Sequence, residues 1–263
     1  MPHERISKNA MLKLIIISLL LSSASICLAF NASDNASNYG GGWTNLSNNG
    51  TGFNAWGFTT DAGDIVGIAD STVGAGDINT GINSFRIASD NGNSLDVFRS
   101  FGDGISLGTG YVLSFDLSVN YRNGNKGFDL RNGGTGEFNF RIANDEYIFG
   151  STNLSTDENW NYVSDGVYGL EFEFVTELLM NAKITRTSLG TPSENRTFEI
   201  PNVALSGAID NFKFYVTGTD TFINPGDSEN NSLYFNNLTV VPEPSAYGLF
   251  FGALALVWVA RRR

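Results

Sequence analysis

The sequence has few of the residues on which most hydrolytic and metal-dependent sites depend. Its 263 residues include one cysteine, Cys27, and one histidine, His3. Ser-His-Asp and Cys-His arrangements and the usual zinc sites all need imidazole or thiolate groups. Both residues lie near the N-terminus, so the rest of the chain lacks these sites. It also lacks disulfide bonds, which a domain of this size does not need to bury a sufficient core.

Basic residues are also scarce relative to acidic ones. The chain has 16 lysines and arginines against 27 aspartates and glutamates, a net charge of -11. Six of the basic residues and two of the acidic ones lie outside residues 30–241, so this central region has 10 against 25 and a net charge of −15. An acidic surface repels phosphate backbones, so nucleic acid is not expected as a partner.

The N-terminal apolar run is typical of a secretory signal peptide. Three basic residues precede the uncharged residues 14–21, and the small residue Ala29 follows at a position suited to cleavage. This order predicts export by the general secretion machinery and removal of residues 1–29 by signal peptidase after Ala29.

The C-terminal residues 242–263 have three parts. The first is an extended motif whose prolines keep the backbone out of a helix: Pro242, Glu243 and Pro244. The second is the uncharged run 245–260, slightly shorter than the ~17–25 residues of a usual transmembrane helix. The third is a basic cluster that would hold the chain end on the cytoplasmic side: Arg261, Arg262 and Arg263.

This order of motif, apolar helix and arginine cluster resembles the PEP-CTERM sorting signal of Gram-negative bacteria. The resemblance implies recognition by exosortase, a membrane protease-transpeptidase that removes the helix. It also implies a transient membrane anchor, followed by release to the cell surface or extracellular matrix, often beside exopolysaccharide genes. The hydrophobic tail then serves as a sorting signal and is absent from the mature protein. A plain single-pass C-terminal anchor is the alternative.

Residues 30–241, about 212 residues, suit one all-β domain. Apolar residues alternate with polar ones, which predicts strands at 85–87, 113–119, 128–130, 138–142, 170–185 and 212–216. Asn132-Gly133-Gly134 predicts a hairpin turn. In the last strand, 233–241, Leu238 faces the core only if Asn236-Asn237 forms a bulge. With no helix predicted between the two ends, the expected fold is a β-sandwich of jelly-roll character.

Four segments of this region resemble an uncharacterised group of PEP-CTERM proteins. They are residues 49–53 with Trp56, residues 99–101, residues 127–131 and residues 234–238. The resemblance implies a concanavalin-like or carbohydrate-binding-module-like sandwich, but it implies no particular activity.

Carboxylates remain as candidates for catalysis. Glu171 and Glu173 lie two residues apart on one strand face, and glycosidases use two carboxylates ~5–9.5 Å apart. With Glu177, the pattern only loosely resembles laminarinase-type glycosidases, because its middle acid is Glu173 and the spacing to Glu177 is too long. The sequence therefore favours a protein that is not an enzyme, and a glycan-active jelly-roll enzyme is the alternative.

Oxygen-rich loops make structural calcium the one cofactor that the sequence leaves open. Carboxylate and amide oxygens on tightly turning backbone are hard ligands for Ca²⁺, although none of the loops matches an EF-hand. These loops are residues 61–64, 90–93 and 210–211.

Aromatic side chains are the candidates for carbohydrate binding. Trp43, Trp56 and Trp160 are the tryptophans of the central region, and tryptophan faces stack on sugar rings. The sequence therefore predicts a non-catalytic surface or matrix protein, with exopolysaccharide as a candidate partner. A purely structural coat or adhesion protein without a small ligand is a further alternative.

Overall fold

The computed structural model describes residues 30–70, 78, 83–143, 146–157, 160, 162–163, 166–188, 191–223 and 227–242. Backbone contacts separate Met1–Phe30 from Asn31–Arg263, and the description below concerns the second part. The predicted signal peptide with Ala29 lies outside the described residues, and so do Glu243, Pro244 and the terminal arginines. Within the described ranges, no helix has the length and apolar content needed to cross a membrane.

The described residues form fifteen strands in chain order. The first eight are β1 (Ala32–Asp34), β2 (Gly57–Thr59), β3 (Ile65–Asp70), β4 (Asn83–Ala88), β5 (Ser94–Ser100), β6 (Tyr111–Val119), β7 (Asn125–Asn132) and β8 (Thr135–Ala143). The other seven are β9 (Glu146–Phe149), β10 (Thr152–Asn153), β11 (Gly166–Thr176), β12 (Leu179–Ser188), β13 (Arg196–Ala204), β14 (Asn211–Thr217) and β15 (Ser232–Pro242).

Short helices interrupt the connections, so the prediction of no helix in this region is wrong in detail. In the described part of the chain they include the 3-10 helices Ala36–Tyr39, Gly102–Gly104, Leu154–Thr156 and Pro192–Glu194, and the four-residue α-helix α1 (Asp227–Asn230). Side-chain capping starts two of the 3-10 turns, because the amide oxygens of Asn35 and Asn153 accept hydrogen bonds from backbone N–H groups two residues later.

The strands form two antiparallel sheets that pack as a β-sandwich. The first sheet has the order β13-β12-β11-β6-β15-β4-β3, with β1 paired to β15. The second sheet has the order β10-β9-β8-β7-β14-β5-β2. The two sheets face each other through inward aromatic rings: Phe214 of β14 stacks on Phe235 of β15 at 3.8 Å between ring centroids, and Phe128 of β7 stacks on Phe172 of β11 at 5.7 Å. Burial of such rings stabilises the sandwich by about 25 cal/mol for each Å² of apolar area.

Period-two alternation predicts six of these strands, which are β4, β6, β7, β8, β14 and β15. It does not predict β3, β5, β9, β10 or β13, and the predicted long strand 170–185 is a hairpin. β11 and β12 are joined by a turn at Glu177 and Leu178, and Leu178 is exposed although the alternation placed it in the core. A register irregularity between Phe174 and Thr176 pairs Phe174 with Met180. Even-numbered residues therefore face the core on both sides of the turn. The sequence pattern of this hairpin is thus the same as that of one continuous strand.

The predicted bulge in the last strand is confirmed. The register of β15 against β6 shifts between Asn236 and Thr239, and Asn237 has a φ of 55°. Leu238 and Val240 are then buried like Phe235. The predicted hairpin turn is also confirmed, because β7 ends at Asn132 and β8 begins at Thr135.

A buried ion pair fixes the N-terminal segment to the core. The Arg99 guanidinium donates to the Asp34 carboxylate, to the side chain of Asn48 and to the carbonyl of Asn54. Both charged side chains are 0% exposed. The same carboxylate accepts hydrogen bonds from the Tyr39 hydroxyl at 2.8 Å and from the indole N–H of Trp56 at 3.2 Å. The segment that carries β1 is therefore joined to the sandwich by a desolvated polar network as well as by strand pairing.

Candidate functional site

The three tryptophans predicted as a carbohydrate platform lie in the core. Trp43, Trp56 and Trp160 are at most 3% exposed. Trp43 packs edge-on against Trp56 at 5.2 Å, and the Arg186 guanidinium lies 5.1 Å from the Trp160 ring. The platform prediction is therefore wrong for these residues, because their large apolar rings fill the space between elements and present no face to solvent.

The predicted carboxylates lie on the outer face of the first sheet or in a turn. Glu171 pairs with Lys183 at 3.5 Å, and Glu173 accepts a hydrogen bond from the amide of Asn181 at 2.9 Å. Glu177 occupies the exposed turn between β11 and β12. The carboxylates of β11 thus make cross-strand contacts with neighbouring β12.

The oxygen-rich loops use their carboxylates to close turns. Asp64 accepts the backbone N–H groups of Asp61 at 2.8 Å and Asp90 at 3.1 Å, and Asp90 accepts that of Phe222 at 2.7 Å. Asp210 likewise accepts the N–H of Gly133 at 2.8 Å. Among the residues that the structure describes, no three His, Cys, Asp or Glu side chains are grouped to hold a metal ion.

A different surface, the outer face of the second sheet, combines an aromatic ring with fixed polar groups. Strand register places its residues in two adjacent rows. We call this surface the tyrosine face, and its members are Asp96, Phe98, Gly127, Asp129, Asn139, Arg141, Lys213 and Tyr215. Each lies at an outward position of its strand, because the alternate residues of β5, β7, β8 and β14 fill the core.

Tyr215 is partly exposed and lies across a glycine of the neighbouring strand. Tyr215 and Gly127 are register partners, and a side-chain carbon on Gly127 would lie 2.8 Å from the Tyr215 Oη. Glycine at this position therefore makes room for the ring to extend along the sheet. Phe98 repeats the arrangement, because a side-chain carbon on its partner Gly57 would collide with the Phe98 ring.

Asn139 orients the tyrosine hydroxyl. Its amide nitrogen donates to Tyr215 Oη at 2.8 Å and to Asp129 Oδ1 at 2.6 Å. Burial raises the pKa of Tyr215 to about 12, so the phenol stays protonated at neutral pH. No described residue accepts the phenol hydrogen, which leaves it free to donate to a ligand. The phenol can therefore donate a hydrogen bond but cannot serve as a base near neutral pH.

The charged groups of the tyrosine face neutralise one another. Lys213 Nζ lies 3.1 Å from Asp96 and 3.7 Å from Asp129, and it is 5.2 Å from the Tyr215 ring. Arg141 pairs with Glu146 at 3.4 Å. The face therefore offers hydrogen-bond donors and acceptors whose positions are fixed by their neighbours, with little net charge.

A cleft adjoins the tyrosine face and shares two of its residues. Its volume is about 560 Å³, and its lining includes Asp129, Glu137, Asn139, Ser151 and Val203. Glu137 also accepts the backbone N–H and the hydroxyl of Ser206, both at 2.6 Å. A ligand larger than one ring could thus extend from Tyr215 past Asp129 into the cleft.

The sequence carries one signal for this surface in strand β14. In residues 212–216, Tyr215 occupies a polar position of the alternation, whereas Phe212, Phe214 and Val216 are apolar. An aromatic residue at an outward position of a strand indicates a ring on the surface of the sheet. Residue type alone favoured the tryptophans as the sugar-binding platform. They occupy irregular segments, where alternation does not predict which way a side chain faces.

Comparisons with known proteins show a shared fold. No protein-family profile and no curated protein sequence matches the chain. A sialidase structure aligns with a TM-score of 0.50 and 13% identity over 82% of this chain, but over only 19% of the sialidase. A protein of unknown function from Shewanella oneidensis MR-1 aligns with a TM-score of 0.49 and 12% identity over 92% of this chain and 96% of that protein.

A family 29 carbohydrate-binding module aligns with a TM-score of 0.32 and 13% identity over 81% of this chain and 91% of the module. Carbohydrate-binding and glycan-active proteins are therefore among the solved structures to which the chain is similar. At these identities the likeness concerns the β-sandwich itself.

Proposed function

We propose that this protein is an exported, non-catalytic surface or matrix protein whose β-sandwich binds polysaccharide on the tyrosine face. In this proposal the sandwich is a concanavalin-like or carbohydrate-binding-module-like jelly roll. The observation that carries the proposal is the partly exposed Tyr215 ring beside Asn139, Asp129 and Lys213.

The chemistry of the tyrosine face suits a sugar. The C–H faces of a pyranose ring stack on an aromatic ring, and its hydroxyls both donate and accept hydrogen bonds. Asp129 and Asn139 supply acceptors and donors that are already oriented by their own hydrogen bond, so binding need not order them. The protonated Tyr215 supplies a further donor.

The C-terminal motif supports the proposed route to the cell surface. Pro242, Glu243 and Pro244 precede the apolar run 245–260 and the terminal arginines. We propose that signal peptidase removes residues 1–29, that the tail anchors the chain briefly, and that an exosortase-type protease then releases the body. Pro242 is the last residue of β15, so the motif begins at the end of that strand.

Binding to the exopolysaccharide of the native host, measured by calorimetry, tests the glycan proposal. We expect Tyr215→Ala to weaken binding about tenfold or more, because a buried-interface tyrosine contributes about 2 kcal/mol when it stacks. Tyr121→Ala is the matched control, since Tyr121 is exposed in the connection between β6 and β7 and is not a member of the tyrosine face. Circular dichroism of both variants checks that each is folded.

Equal binding by the two variants would remove the tyrosine face from the proposal. Shortening of the polysaccharide during the measurement would contradict the non-catalytic part and favour a glycan-active enzyme. The intact mass of the protein recovered from the host surface tests the sorting part separately. A mass that retains residues 245–263 would show that the tail is not removed.

A further inference from the structure

We infer that, before the tail is removed, one end of the sandwich rests on the lipid headgroups of the membrane. This inference depends on the proposed function, in which residues 245–260 insert into the bilayer. The end in question, called here the tail end, contains Tyr111 at the start of β6, the β11–β12 turn with Leu178, and Pro242 at the end of β15.

The chain enters and leaves the sandwich at the tail end. Ala32 of β1 is the register partner of Val240, and Pro242 is the register partner of Tyr111. Strand β15 lies inside the first sheet, paired with β6 on one side and with β4 and β1 on the other. Pro242 is buried. The last residues of β15 therefore cannot peel away from the sheet to lengthen the connection without breaking central strand pairing.

The connection to the apolar run is too short to hold the sandwich away from the membrane. Only Glu243 and Pro244 stand between Pro242 and Ser245. Three Cα–Cα steps span at most about 11 Å. The headgroup layer on each side of a bilayer is about 5–8 Å thick. If Ser245 begins the inserted segment, Pro242 lies within a few ångströms of the headgroups, so the tail end is the part of the sandwich held next to the membrane.

The tail end also carries exposed apolar side chains. Val175, Leu178 and Val241 are each more than a third exposed, and all three lie at this end of the first sheet. Val241 and Val112 are register partners, which extends the apolar surface onto β6. Glu173 and Glu177 flank these residues. The surface is therefore suited to zwitterionic headgroups and would be repelled by anionic ones.

Quenching of a fluorescent label by headgroup-attached nitroxide tests the inference on the full-length chain. Cys27→Ser removes the only native cysteine, after which Leu178→Cys and Tyr121→Cys each provide one labelling site. The two native side chains are 51% and 50% exposed, so the labels differ in position more than in accessibility. Tyr121 follows β6 and lies at the opposite end of the first sheet.

In phosphatidylcholine vesicles we expect severalfold stronger quenching at position 178 than at position 121. Equal quenching in a chain that floats with the vesicles would overturn the inference and leave the anchoring proposal standing. A chain that does not float with the vesicles would overturn both. If Leu178→Cys does not fold, Val175→Cys provides the same comparison, because Val175 is also exposed at the tail end.

Discussion

The buried pair of Arg99 and Asp34 allows a quantitative prediction for the stability of the fold. Asp34→Asn keeps the size of the side chain and removes its charge. The Arg99 guanidinium, which is 0% exposed, would then be a buried cation without a counter-ion. The substitution also replaces charge-assisted hydrogen bonds from Tyr39 and Trp56 with weaker neutral ones.

The expected loss follows from the behaviour of buried ion pairs. Removing one partner of such a pair costs about 3–5 kcal/mol, because the remaining charge stays desolvated. The Phe53 and Trp56 rings, 4.9 and 5.0 Å from the guanidinium, continue to stabilise the cation, so we expect a value near ~4 kcal/mol. That is a large part of the ~5–15 kcal/mol that holds a typical domain folded.

Urea unfolding followed by tryptophan fluorescence measures this loss. Glu171→Gln is the control, because its partner Lys183 is exposed and a surface pair contributes about 0–1 kcal/mol. Adding Arg99→Met to Asp34→Asn should recover part of the lost stability, since it removes the unpaired charge. A loss below about 1 kcal/mol for Asp34→Asn would refute the argument that Arg99 depends on this carboxylate.

Two further predictions concern Lys126 and Asn237. Burial lowers the pKa of Lys126 to about 7 from 10.5, so the folded state releases a proton that the unfolded state keeps. The free energy of unfolding should therefore rise between about pH 7 and 10.5, and urea titrations of Lys126→Met should lack that rise. Asn237 adopts a φ of 55° in the bulge of β15, so Asn237→Ala should be less stable than Asn237→Gly by about 1 kcal/mol. Equal urea midpoints for the two Asn237 variants would contradict this, since both lose the same side-chain hydrogen bonds.

Local pattern was enough to predict six of the fifteen described strands and one irregularity of the fold. Alternation identified β6, β8 and β14 because one face of each strand is apolar. The core-facing apolar residues of β15 are odd-numbered before Asn236-Asn237 and even-numbered after this pair. This change identified the bulge, since only an extra residue turns Leu238 back to the core face. Each of these features depends on residues that are close in the chain.

Three features that sequence pattern missed depend on pairing between distant segments or on a compensating irregularity. The β11–β12 turn was hidden because the irregular register beside it preserves the alternation. The contact of Arg99 with Asp34 joins residues 65 positions apart, and no local sequence pattern predicts such a contact. The tyrosine face could not be predicted without the strand order, since only the pairing of β14 with β7 brings Tyr215 over Gly127.

The pairing of Ala32 with Val240 places the first strand, β1, beside the last strand, β15. A short flexible peptide could close them into a ring without disturbing either sheet. New ends could then be opened at the exposed Gly133-Gly134 turn, which would yield a circularly permuted domain. For the same reason the sandwich could be inserted whole into a surface loop of another protein, because its entry and exit require almost no separation in the host.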